Sequence, residues 1–102
     1  MAEFTTVGKV DELESRELAA FDLGAERVAI ARVAGAYYAF GDTCTHLGCS
    51  LAEGELEEQT VTCACHGSQF DVTTGAVLRG PAREPVKSYG VRVQDGALQV
   101  ER

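Results

Sequence analysis

Cys44-Thr45-His46-Leu47-Gly48-Cys49 and Cys63-Ala64-Cys65-His66-Gly67-Ser68 are the two stretches on which the reading of this chain turns. All four cysteines and both histidines of the 102 residues lie within them. A disulfide scaffold spreads its cysteines through the fold and has no use for histidine. Soft thiolates and imidazoles gathered in two short segments point to a metal site.

The spacing sharpens that reading. Each segment offers one Cys and one His close together: Cys44-x-His46, then Cys63-x-x-His66, with 16 residues between His46 and Cys63. That separation lets the segments stand as two facing loops. Two thiolates and two imidazoles so arranged can hold either one zinc ion or a [2Fe–2S] cluster with two ligands on each iron.

Outside these loops the chain reads as short strands. Phe4 to Val10 alternates loosely. Arg27 to Phe40 reads as two strands separated by the turn Ala34-Gly35, and Thr60 to Cys63 is a β-branched run. Ser88 to Val93 and Ala97 to Val100 flank Gln94-Asp95-Gly96, and Asp-Gly is a strong hairpin signal. Asp11 to Ala20 has no convincing apolar stripe and reads as a loop or one helical turn before a strand. The expectation is an all-β domain of antiparallel strands with a loop-rich insertion from about Gly41 to Pro81.

Charge narrows the partners. Sixteen Asp and Glu stand against nine Lys and Arg, a formal net charge of −7. Phosphate binding needs a basic face, so nucleic acid is excluded as a partner. The run Glu53, Glu55, Glu57, Glu58 reads as a solvated hairpin face, with docking onto a basic partner as its alternative. No stretch has the length of a membrane span, and the first residues do not read as an export signal, so the expected location is the cytoplasm, without membrane insertion.

With these residues in view, the chain resembles the Rieske family of iron–sulfur proteins. The resemblance rests on Cys44-x-His46, Cys63-x-x-His66 and their surroundings, including Ser68-x-Phe70-Asp71, Thr74-Gly75 and Gly80-Pro81-Ala82. It implies one Rieske domain over 1–102, with an antiparallel sandwich or barrel-like base and a cluster-binding subdomain at about 41–81. It implies one [2Fe–2S] cluster, with Cys44 and Cys63 on the buried iron and His46 and His66 on the outer iron. It further implies a Cys49–Cys65 disulfide joining the two loops, as in quinol-oxidising members; two buried free thiols are the alternative. Leu47 and Pro81 would shield the cluster, and the Ser68 hydroxyl would donate to a bridging sulfide. High-potential members carry Tyr where this chain has Phe70, so the implied potential is intermediate.

The expected role is that of a soluble one-electron carrier, a Rieske-type ferredoxin with no catalysis of its own. It would take electrons from a flavin-dependent reductase and pass them to a terminal oxygenase or similar redox enzyme. The alternative is a small subunit or Rieske domain of a larger oxidoreductase, nitrite-reductase-like or respiratory. A structural zinc or redox-sensing module, switched through Cys49 and Cys65, is a third class.

Overall fold

The computed structural model describes residues 3–45 and 48–101. Among them the strands are β1 (Phe4–Lys9), β2 (Leu18–Leu23), β3 (Glu26–Val33), β4 (Ala36–Gly41), β5 (Glu55–Glu57), β6 (Thr60–Thr62), β7 (Gln69–Asp71), β8 (Val77–Arg79), β9 (Ser88–Gln94) and β10 (Ala97–Glu101). Single 3₁₀ turns at Val10–Leu13 and Leu51–Glu53 are the helical elements of the described residues.

Two antiparallel sheets result. One runs β1-β10-β9-β4-β3-β2, and the other is the meander β5-β6-β7-β8. The two edge strands of the larger sheet, β1 and β2, also approach each other, which rolls it toward a barrel. No described helix is long and apolar enough to cross a membrane.

The run Val28-Ala29-Ile30-Ala31 explains where the sheets meet. All four side chains are fully buried, so β3 is covered on both faces. Side chains alternate across a strand. Val28 and Ile30 join Leu13, Phe21, Leu23, Leu98 and Val100 inside the rolled sheet. Ala29 and Ala31 face the other way, into a second apolar core with Phe40, Leu51, Val61, Phe70 and Val72. This second core also contains Cys44 and Cys63. Their loops therefore stand on packed apolar ground between the two sheets.

The hairpins follow from turn chemistry. Ala34 and Gly35 have φ of +51° and +83°, and Asp95 and Gly96 have +52° and +77°. Two left-handed residues in a row match the right-handed twist of the strands they join.

Asp11 to Ala20 is the expected helical turn before a strand, with the 3₁₀ turn Val10–Leu13 followed by β2, which begins at Leu18. Leu18 and Ala20 point to the second core and Phe21 and Leu23 to the first, an alternation that shows only when the window extends past Ala20. The insertion after Gly41 is loop-rich as expected, and its short strands make up the whole four-stranded sheet. Its strands have three residues each, too few for a period of two to register.

Candidate metal centre

The two Cys-His segments fold into the same backbone ring. In the first, the Cys44 N–H donates to the Cys49 carbonyl (2.8 Å), and the Gly48 N–H donates back to the Cys44 carbonyl (2.9 Å). In the second, the Cys63 N–H donates to the Ser68 carbonyl (2.8 Å), and the Gly67 N–H donates back to the Cys63 carbonyl (3.1 Å). The chain can reverse this tightly because the fifth residue of each ring takes a left-handed φ, +77° at Gly48 and +78° at Gly67, a region glycine enters without strain.

Each ring is anchored at its base. Asp42, at the end of β4, is 2% exposed. Its carboxylate accepts from the Ser50 hydroxyl (2.7 Å) and the Ala52 N–H (2.9 Å), and its carbonyl accepts from the Leu51 N–H (2.7 Å). That buried carboxylate fixes the exit of the first ring, and sequence reasoning did not single it out. An Asp just after a strand, able to cap the backbone of the turn that follows, is a recognisable signal. The second ring rises from the β6–β7 hairpin, where Val61 pairs with Phe70 and Thr62 with Gln69.

The cysteines divide into two pairs. Cys49 and Cys65 are joined as a disulfide between the rings, with their Cα atoms 6.5 Å apart. Cys44 and Cys63 carry free thiols and are each 3% exposed. His66 is exposed at the outer end of the second ring. His46 and Leu47 lie outside the described residues.

A third loop closes over the side. Ser68 is fully buried, and its Oγ accepts from the Ala82 N–H at 3.0 Å. Because that bond uses the oxygen as acceptor, the hydroxyl proton remains to be donated elsewhere. The Thr45 hydroxyl donates to the Glu84 carbonyl (2.7 Å), tying the first ring to the same loop. Between these ties Pro81 is exposed, after a cis Gly80–Pro81 peptide. Phe70 is fully buried in the core beneath the rings. The acidic residues Glu53, Glu55, Glu57 and Glu58 are all exposed.

Behind β7, Asp71 organises the turn to β8. The Thr73 hydroxyl, bonded to the Asp71 carboxylate, is the main cause that holds its pKa below the usual value. The Thr73 N–H and the Gln59 amide add to the effect, against a smaller opposing push from burial.

The donor set fits a metal–sulfur group. Two free thiols, one from each ring, are sealed from solvent on the apolar side, while an imidazole stands on the exposed side. Soft thiolates with imidazole suit iron–sulfur centres or zinc. Among the described residues no buried side-chain nitrogen or oxygen lacks a hydrogen-bond partner, so the surrounding shell is satisfied by the protein itself.

Comparison with known proteins separates these choices. The family model for the Rieske [2Fe-2S] domain matches residues 3–90. The chain is 35% identical over 100 residues to the anthranilate 1,2-dioxygenase ferredoxin subunit of Burkholderia cepacia, covering 98% of this chain and 93% of that protein. Its fold superposes with a TM-score of 0.88 on the ferredoxin of carbazole 1,9a-dioxygenase from Nocardioides aromaticivorans IC177, at 29% identity and 95% coverage of both chains. A second solved structure, a complex of reduced oxygenase and oxidised ferredoxin in carbazole 1,9a-dioxygenase, matches with a TM-score of 0.85. There the identity is 32%, over 95% of this chain and 91% of that one.

Proposed function

The chain belongs to the Rieske [2Fe-2S] family, and from that premise we propose that it is a ferredoxin that carries single electrons to a terminal oxygenase. One observation carries the reading: two matched rings each present a buried free thiol, Cys44 and Cys63, while the remaining cysteines are bonded to each other. Cys44 and Cys63 would hold one iron through thiolates, and His46 and His66 would hold the other through imidazoles. Bound there, a [2Fe–2S] cluster supplies a reversible one-electron couple.

The protein's part is to hold and to shield. The apolar core around Cys44 and Cys63 keeps water from the thiolate side. The disulfide and the Ser68–Ala82 and Thr45–Glu84 hydrogen bonds hold three loops in register. The Ser68 hydroxyl proton, not used in the bond with Ala82, would stabilise added negative charge by donating to a cluster sulfur. His66 gives the exposed edge through which a partner draws near. The chain acts on no substrate itself. A flavin-dependent reductase supplies the electrons, the site of action is the cytoplasm, and residues 1–102 work as one Rieske domain.

The Cys49–Cys65 bridge favours a second reading, a small subunit of a larger oxidoreductase, because it stiffens the loops for a fixed interface. Co-purification with a stoichiometric partner would select that reading.

A redox titration followed by visible absorption tests the proposal. The expected result is one bleaching step of one electron, with a midpoint inside the Rieske range of about −150 to +300 mV. A colourless protein with bound zinc and no redox step would overturn it.

A further inference from the structure

The sulfurs of Cys49, Cys63 and Cys65 all lie within 4.8 Å of one another. Two of them form the bridge, and the third is a free, buried thiol. The carrier function needs only Cys63 from this group. A tetrahedral thiolate site with metal–sulfur arms of about 2.3 Å has its sulfurs about 3.8 Å apart, a spacing that Cys49 and Cys65 can reach beside Cys63 only once the bond between them is broken. The covalent bond between Cys49 and Cys65 occupies what are otherwise two ligand positions.

We propose that reduction of the Cys49–Cys65 bridge turns this corner into a three-thiolate site for a soft divalent cation such as zinc, which then competes with iron for Cys63. The reductant is a dithiol. It gives two electrons and two protons, the sulfur–sulfur bond breaks, two thiols form, and the dithiol closes to its own disulfide. The cation then displaces two protons, from Cys49 and Cys65, and takes the Cys63 thiolate from iron. Solvent fills the fourth position of the tetrahedron.

The bridge thus selects the metal. While it is intact, Cys63 is the single free thiol at this corner, and in the iron-loaded chain iron occupies it. Once it is broken, three thiolates converge, and soft ligands favour zinc. Access agrees with this, since Ala64, Cys65 and His66 are all exposed and a reductant reaches the bridge from the Cys65 side. The inference goes beyond the electron-carrier reading, because it concerns which metal the chain retains under reducing conditions.

The test uses the iron-loaded full chain, desalted after incubation with a small excess of zinc. It is run with and without a water-soluble phosphine, which breaks the bridge by taking oxygen from water. Zinc and iron per chain are read by elemental analysis. Intact protein is expected to keep its iron and take no zinc. Reduced protein is expected to take about one zinc per chain and lose iron in parallel. A chain with both Cys49→Ser and Cys65→Ser is expected to take no zinc beyond the intact wild type under either condition.

Zinc uptake without reduction, equal uptake by the double variant, or no uptake by the reduced wild type would each overturn the inference. If the double variant does not accumulate, cadmium added to the reduced wild type decides. A thiolate charge-transfer absorbance equal to three sulfurs per cadmium supports the site, and one or two overturns it. Visible colour before zinc is added tests the carrier reading separately.

Discussion

Replacing Ser68 by alanine isolates the tie that holds the third loop over the rings. Ser68 is fully buried and Ala82 is 3% exposed, so the Ala82 N–H loses its acceptor and cannot turn to bulk water. A buried donor left unpaired costs about 1–3 kcal/mol. The lost hydroxyl brings no compensating apolar gain, since the side chain shrinks. Taking 2 kcal/mol as the centre of that range, and 4–8 °C per kcal/mol for a domain of this size, Tm falls by roughly 8–16 °C. Far-UV circular dichroism of iron-loaded protein, melted at fixed pH, reads the shift. Ser15→Ala, on the exposed 3₁₀-to-β2 connection, serves as a control that stays within about 0.5 kcal/mol of wild type. If Ser68→Ala is no more destabilising than that control, Ser68 does not pin the loop and the reasoning is wrong.

Three further outcomes are expected. Gly54→Ala drives its new methyl into the Thr62 carbonyl oxygen, one residue before Cys63; overpacking of this kind costs about 1–3 kcal/mol. Its urea midpoint and its iron content should fall together, and a drop in neither refutes the clash. Phe70→Tyr adds a donor beneath the rings, and a hydrogen bond favouring the reduced state by about 1 kcal/mol raises the midpoint potential by about 45 mV. An unchanged or lower potential shows that the hydroxyl does not reach a cluster sulfur. Asp71 has a folded-state pKa below its unfolded value, so its stabilisation is complete above about pH 4 and is lost as pH falls through the folded pKa. Asp71→Asn should therefore be less stable than wild type near neutrality. The gap measured by urea denaturation should close on acidification, and a gap independent of pH would contradict the assignment.

How far the sequence carries differs by region. The hairpins at Ala34-Gly35 and Asp95-Gly96 are legible because glycine marks the left-handed position. The β5–β6 hairpin is not, since its left-handed residue is Glu58, φ +55°, and nothing local announces that conformation in a glutamate. The two Cys-His segments stand out by spacing alone, whereas the division of Cys44 and Cys63 from Cys49 and Cys65 came from family resemblance. The Ser68–Ala82 tie joins residues 14 apart through one side chain and one backbone donor, and no pattern of residue types encodes it. Asp42 lies between these cases: its carboxyl caps its own neighbourhood, but it accepts from Ser50 and Ala52, eight and ten residues on, and its burial is not announced locally.

The two ligand rings have a consequence for how such a site can vary. Each is closed by hydrogen bonds between the first and sixth residues and between the first and fifth. Backbone atoms alone make those bonds, so many side chains at the second position leave the closure untouched, and Thr45 and Ala64 already differ there. Length is another matter. One residue added or removed within either ring moves the glycine out of its left-handed seat and turns the following donors away from their acceptors. Along these segments the quantity under constraint is therefore a count, and relatives can drift far in composition while a single-residue insertion dismantles the ring.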